Sequence, residues 1–188
     1  MTRFALSVML SLALPVAAQA ALVGTYTIGA GANSATLQFD FDNGNTHLAT
    51  VRWDGSLDGF EALQMVAASA PGGQLDFQSF SFGKFVTGIG VGGDYQYGEG
   101  ELWPIENYWH YWTAEGAAVF AESWTGAADR VLTDGSRDAW VFGSANAPAA
   151  VPAPGALSLV FAAALRRRRN GRPRCLRAVS CAHVRHGR

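Results

Sequence analysis

The chain has 188 residues, a formal net charge of −1 and two cysteines. That balance hides a division: residues 21–150 hold all fifteen acids and only four basic residues, a net charge of −11, while residues 166–188 hold nine arginines. A body this acidic excludes nucleic acid and anionic lipid as electrostatically driven partners, and Cys175 and Cys181 both lie beyond it, so no disulfide staples it.

At the N-terminus, Arg3 and the mostly apolar stretch 4–16 lead into Ala18-Gln19-Ala20, the small-residue form of a signal-peptidase site. Residues 1–20 are therefore expected to be a signal peptide, cut before Ala21 by signal peptidase after delivery to the export machinery. Residues 21–144 are expected to form one ordinary domain, long enough to build a core.

Residues 35–53 read as a β-hairpin. Leu37, Phe39 and Phe41 alternate with polar residues, as do Ala49, Val51 and Trp53. A two-residue loop at Asn43-Gly44 would put the two apolar sets on opposite faces. A three-residue loop, Asn43-Gly44-Asn45, pairs Phe41 with His47, Phe39 with Ala49 and Leu37 with Val51, which buries one face and is the register predicted. The spacing predicts a helix over 58–69, with Asp58 as N-cap, Glu61 completing a capping box, and Phe60, Leu63, Val66 and Ala67 as its apolar stripe. Pro71-Gly72-Gly73 ends it. Strands are expected at 75–79 and 84–89, followed by a glycine-rich, acidic connection over 88–100. Further strands are expected at 108–113, 118–124, 129–132 and 138–142, with a turn at Asp134-Gly135. Residues 145–154 form a linker of small residues and prolines. These elements predict the α+β class: a small β-rich domain with one main helix, flanked by a signal peptide and a C-terminal apolar and arginine-rich tail.

Aromatic residues are the strongest chemical signal. Trp103, Tyr108, Trp109, Tyr111, Trp112 and Trp124 fall within 22 residues. On a strand, Tyr108, His110 and Trp112 share one face, while Trp109 and Tyr111 share the other. One row is expected in the core and the other at least partly exposed. An exposed row of Tyr108, Trp109, Tyr111, Trp112 or Trp124 suits flat, partly apolar ligands such as sugar rings or a corrin; the alternative is that all of these rings fill the core.

Other motifs carry less. Gly88, Gly90 and Gly93 have the G-x-G-x-x-G spacing, but residues 94–98 do not start the helix that pyrophosphate binding needs. The run 40–45 lacks the ligands of an EF-hand loop, so no metal site is expected there. His47 and His110 are the only histidines of the body and have no paired spacing. With no cysteine nucleophile and no G-x-S-x-G, no catalytic residue and no cofactor is expected. Carboxylates of the connection, such as Glu101 and Glu106, leave glycan hydrolysis as a third possibility. Arg130 and Arg137 are expected in ion pairs with Asp129, Asp134 or Asp138.

Two resemblances follow from quoted residues. Val151-Pro152-Ala153-Pro154, the apolar run 155–165 and Arg166, Arg167, Arg168 and Arg169 resemble the PEP-CTERM sorting signal. Such a signal implies export to the Gram-negative cell envelope or extracellular matrix, transient membrane anchoring through the tail, processing by an exosortase-type transpeptidase, and an association with extracellular polysaccharide. Ala153 stands where that family has an acidic residue. The eleven-residue run would span roughly 16 Å as a helix, about half of a ~30 Å hydrocarbon core. Residues 170–188 form a basic extension, expected to be disordered. Within the body, the Trp-Asp-Gly before the helix, Lys84-Phe85-Val86-Thr87-Gly88-Ile89-Gly90, Tyr108-Trp109-His110-Tyr111-Trp112, and Asp134-Gly135-Ser136-Arg137-Asp138-Ala139-Trp140 resemble the transcobalamin-like C-terminal domain of bacterial surface proteins. This second resemblance runs from about residue 57 to 142, with 92–106 as an insertion. It implies a β-grasp-like sheet around one helix and a surface able to cover a corrin.

Overall fold

The computed structural model describes residues 21–81, 83–100 and 106–151. The chain divides into two units after Val151. The second unit lies outside the described residues, and so do the expected signal peptide with Ala18 and Ala20, and the sorting residues Pro152, Pro154, Arg166, Arg167, Arg168 and Arg169.

The described chain is mostly strand with one α-helix, a small α+β domain. Its nine strands are β1 (Ala21–Gly29), β2 (Asn33–Asp40), β3 (Asn45–Trp53), β4 (Gln74–Phe80), β5 (Gly83–Val91), β6 (Asp94–Tyr97), β7 (Trp109–Glu115), β8 (Ala121–Glu122) and β9 (Ser136–Phe142), with α1 (Gly59–Ser69) between β3 and β4. They form two sheets, one of order β1-β3-β2-β9-β7-β8 and one of order β4-β5-β6. The sheet expected to close around the helix is thus divided, because β4, β5 and β6 pair only among themselves.

The β2–β3 hairpin buries the expected face, but its register is displaced. Phe39 lies opposite His47 and Leu37 opposite Ala49, two residues from the predicted pairs. Gly44 explains the shift. It donates to the Phe41 carbonyl at 3.1 Å, Phe41 N–H donates to the Asn45 carbonyl at 2.9 Å, and Gly44 has φ +83°. That is a type I turn closed by a left-handed residue, so the glycine must be the third loop residue, after Asp42 and Asn43. An even displacement keeps each side chain on its face, and Leu37, Phe39, Ala49 and Val51 are all buried.

The capping box forms as predicted: Asp58 Oδ1 accepts from Glu61 N–H at 2.7 Å, and Glu61 Oε2 accepts from Asp58 N–H at 3.0 Å. Each cap of this kind contributes about 1 kcal/mol. The buried stripe is Phe60, Ala62, Leu63 and Val66, with Ala67 only half-buried. This face meets the interior side of both sheets, where Leu37, Phe39, Val51, Ile89, Val91 and Trp140 complete one core. Full burial of each such aliphatic side chain stabilises the fold by about 1.5–3 kcal/mol.

Several expected elements differ. The connection over 88–100 contains the end of β5 and the whole of β6. Of residues 118–124, only Ala121 and Glu122 pair, and residues 129–132 supply a 3₁₀ turn end and a single bridge from Val131 to Asp58. A short apolar-rich segment can cover a sheet without joining it, and Phe120 does so by packing on Trp112, Ala139 and Val141. β1, which the sequence did not announce, runs parallel to β3.

Candidate functional site

The predicted aromatic residues occupy three environments. β7 turns Trp109 and Tyr111 into the interior and His110 and Trp112 onto the outward face of the six-stranded sheet. Trp109 and Trp112 are both buried, at 4% and 9% exposure. The expectation of one exposed row on this strand is therefore corrected: the outward row is covered too. Phe120 and the linker residues 147–151 lie over that face, around a cleft of about 450 Å³ that also takes in Gln38 and Arg137. Tyr108 is half-buried, with its ring 4.1 Å from that of His110. Trp124 is 99% exposed and is the one predicted binding residue fully open to solvent.

The inner row lines a second cleft, of about 170 Å³, between the sheets. Lys84, Phe85 and Val86 form one wall from β5. Trp109 and Tyr111 of β7 and Trp140 of β9 form the other, and Thr125, Gly126 and Ala127 close one side. The Tyr111 and Trp140 rings stack at 4.9 Å, and Trp109 meets Phe142 edge-on at 5.2 Å. Trp124 directly precedes the Thr125 wall. The cleft can receive the edge of one flat ring. It is smaller than the roughly 300–1,000 Å³ of sites that enclose a drug-sized ligand. Trp140, Phe85 and Lys84 were not singled out from the sequence as binding residues, since each comes from a strand distant from the aromatic cluster.

Behind the cleft, a polar network holds β7 to β9. Asp138 is fully buried, accepts from Arg130 Nε at 2.7 Å and from Tyr111 Oη at 2.5 Å, and Arg130 also reaches Glu115 at 2.8 Å. Burial first, and then the Asp138 charge, push the Tyr111 phenol far above its ordinary range. It therefore stays protonated and donates. The Arg130–Asp138 pair is one of the predicted ion pairs. Arg137 departs from prediction: it donates to the carbonyls of Gly116 and Ala118 and lies over the Phe120 ring at 4.5 Å.

A second network joins the two sheets. His47 is buried, with Nε2 2.8 Å from Asp94 Oδ2 and Nδ1 3.1 Å from Tyr26 Oη. Asn43 and Asn45 donate to the same carboxylate at 3.0 and 2.9 Å. The Asp–His–Tyr order resembles a proton relay, but a Cβ at Gly24 or Gly92 would collide with the tyrosine oxygen. Two glycines thus let backbone approach that oxygen closely, and the network ties β1 and β3 to β6 as a clasp.

The linker is held as well. Ala149 N–H donates to Asp40 Oδ2 at 2.8 Å, and Gln38 Nε2 donates to the Ala149 carbonyl at 2.9 Å. Gln38 Nε2 and Thr46 Oγ1 also donate to the same Asp40 carboxylate. No group of three or more His, Cys, Asp or Glu side chains suited to a metal ion occurs among the described residues. No helix among them is long and apolar enough to cross a membrane. Glu106 is exposed at a turn, and Glu101 lies outside the described residues. Comparison with known protein families, with curated proteins and with solved structures finds no match to this chain.

Proposed function

We propose that this is an exported cell-envelope or extracellular-matrix protein whose body is a non-enzymatic binding module for a flat-ringed ligand, with polysaccharide favoured. The carrying observation is the inter-sheet cleft walled by Trp109, Tyr111, Trp140 and Phe85, with the fully exposed Trp124 beside it. Trp109 and Trp140 are buried, so the open aromatic face offered to the apolar face of a sugar ring is that of Trp124. The A-x-A site and the proline, apolar and arginine order support export and a PEP-CTERM-like tail processed by an exosortase-type transpeptidase.

The transcobalamin-like resemblance supports cobalamin, or a related macrocycle, as the second ligand class, together with a β-grasp-like ancestry for the sheet around α1. A cleft of about 170 Å³ favours a single ring over an enclosed macrocycle. Tryptophan fluorescence of the full chain, titrated separately with soluble exopolysaccharide and with cobalamin, tests the module. Polysaccharide should perturb the emission, and Trp124→Ala should remove most of that response. A folded chain silent to both ligands overturns the proposal, and a response to cobalamin alone transfers it to the macrocycle.

A further inference from the structure

The outward face of the three-stranded sheet carries a separate arrangement. β6 turns Asp94 and Gln96 toward the β2–β3 turn, where they accept from Asn43 and from the Asp42 N–H. It turns Tyr95 and Tyr97 the other way, and they are 46% and 50% exposed. The register sets Tyr95 opposite Gly90 and Tyr97 opposite Gly88 of β5. The same glycines lie opposite Gln74 and Asp76 of β4.

The central strand thus raises no side chain at two successive positions of this face. Tyr95 uses the gap: its hydroxyl donates to Asp76 Oδ2 at 2.8 Å, spanning from one edge strand to the other. A Cβ at Gly88 would stand 2.5 Å from Asp76 Oδ2 and 3.0 Å from Tyr95 Oη. Gly88 and Gly90 are absent from the positive-φ glycines. What these positions use is the missing side chain, and no unusual backbone conformation. The Tyr97 hydroxyl bonds Glu99, whose carboxylate also accepts from Gln78 Nε2 at 2.8 Å. Two phenol rings are therefore tied at their hydroxyl ends above a glycine floor, among the amides of Gln74 and Gln78 and the carboxylates of Asp76 and Glu99.

Each part suits carbohydrate. Tied rings have little rotamer freedom left to lose on binding. Their exposed faces receive the C–H face of a sugar ring. An ionised carboxylate has about four acceptor sites, so Asp76 keeps capacity for sugar hydroxyls beside its bond from Tyr95. The platform lies on an open sheet face, so a chain can run along it, which the small cleft does not allow. Charge narrows the class, because a body at −11 with two carboxylates on the platform repels polyanions. We infer that the tyrosine-and-glycine face of β4, β5 and β6 is a binding surface for a neutral polysaccharide. This rests on the binding-module proposal and assigns the main contact to a different place, with the cleft as an independent alternative.

Native affinity electrophoresis of the full chain tests it, with hydroxyethyl cellulose as the neutral probe and alginate as the polyanionic one. Hydroxyethyl cellulose should retard the wild-type chain and alginate should not. The double variant Tyr95→Ala, Tyr97→Ala should lose about tenfold in affinity relative to the wild type. Tyr95→Phe keeps the ring and should fall between them, and it keeps the test open if the double variant does not fold. Retention by the folded double variant, or by alginate alone, overturns the platform. If Trp124→Ala abolishes binding and the double variant does not, the platform fails and the module survives in the cleft. If hydroxyethyl cellulose does not retard the wild type, the platform also fails. The module fails with it only if the wild-type fluorescence is silent to exopolysaccharide and cobalamin as well.

Discussion

The six-stranded sheet carries His110, Trp112, Ala139 and Val141 on its outward face; Phe120 packs on the last three, and residues 147–151 lie beside Gln38 and Arg137 of the same sheet. The three-stranded sheet carries Tyr95 and Tyr97 on its outward face and leaves them about half exposed. Both faces are aromatic, and their fates differ because of what lies nearby in space. The first face has a linker bound to it through Asp40 and Gln38, which hold both backbone polar groups of Ala149. The second has tyrosines tied to their own sheet through Asp76 and Glu99. Aromatic content therefore does not mark a binding face. Among the described residues, covering makes one face part of the stable body and leaves the tyrosines of the other about half exposed.

Substitutions should separate the two sheets, with stability losses concentrated in the larger one. Arg130→Met leaves Asp138 fully buried without its cation, and breaking such a pair costs about 3–5 kcal/mol. Its urea midpoint should drop sharply, and an unchanged midpoint would show that Tyr111 alone satisfies the carboxylate. Ala149→Pro removes the N–H that Asp40 receives. A hydrogen bond to a charged group contributes about 1.5–3 kcal/mol, so urea unfolding should show a loss near that size. A loss near zero would mean that the linker does not hold the covering in place.

The clasp between the sheets should be weaker and sensitive to acid. The His47 bond first, and then those from Asn45 and Asn43, hold the Asp94 carboxyl below its usual 3.8 against the opposing effect of burial. A carboxyl lowered in the folded state stabilises the fold above the unfolded value, and that contribution is lost as pH falls through the lower folded value. Glu115 has the same direction: burial opposes it, but bonds from Arg130 and Ser136 prevail. Wild-type thermal stability should therefore decline as pH drops below about 4. Asp94→Asn should decline less steeply over that window, and parallel curves would show that the clasp is not a source of acid lability. The smallest effect belongs to the open face. Tyr95→Phe removes only the bond to Asp76 on an exposed surface, so the thermal midpoint should correspond to a change within about 0.5 kcal/mol. A larger loss would place Tyr95 among the structural residues.

Much of the fold was legible where a local rule acts alone. The capping box at Asp58 and Glu61, the turn at Asp134-Gly135 and the alternation in β2 and β3 are short-range devices, and all formed. The hairpin parity was legible and its register was not, because register depended on which loop position Gly44 fills. β1 was illegible because most of its side chains stay exposed, so no apolar alternation marks it. Of the candidate site, Trp109 and Tyr111 were named from the sequence. Trp140, Phe85 and Lys84 reach the same cleft only through the pairing of β7 with β9 and the approach of β5. The tyrosine platform was hidden in a stretch whose glycines suggested a loop. Two of those glycines, Gly88 and Gly90, are strand residues that make room for neighbouring side chains.

The sequence by itself determined the acidic body, the helix with its cap and the period-two strands of the hairpin, because charge, capping and alternation are local properties of the chain. Only the tertiary structure decided which aromatic faces are covered and which remain open. Segments such as 117–120 and 147–151 are small, mostly weakly patterned residues, and they gain their role from lying over a sheet built by strands far away in the chain. Covering is a long-range event, driven by apolar burial and by two side chains that recognise one backbone unit, and no local pattern encodes it.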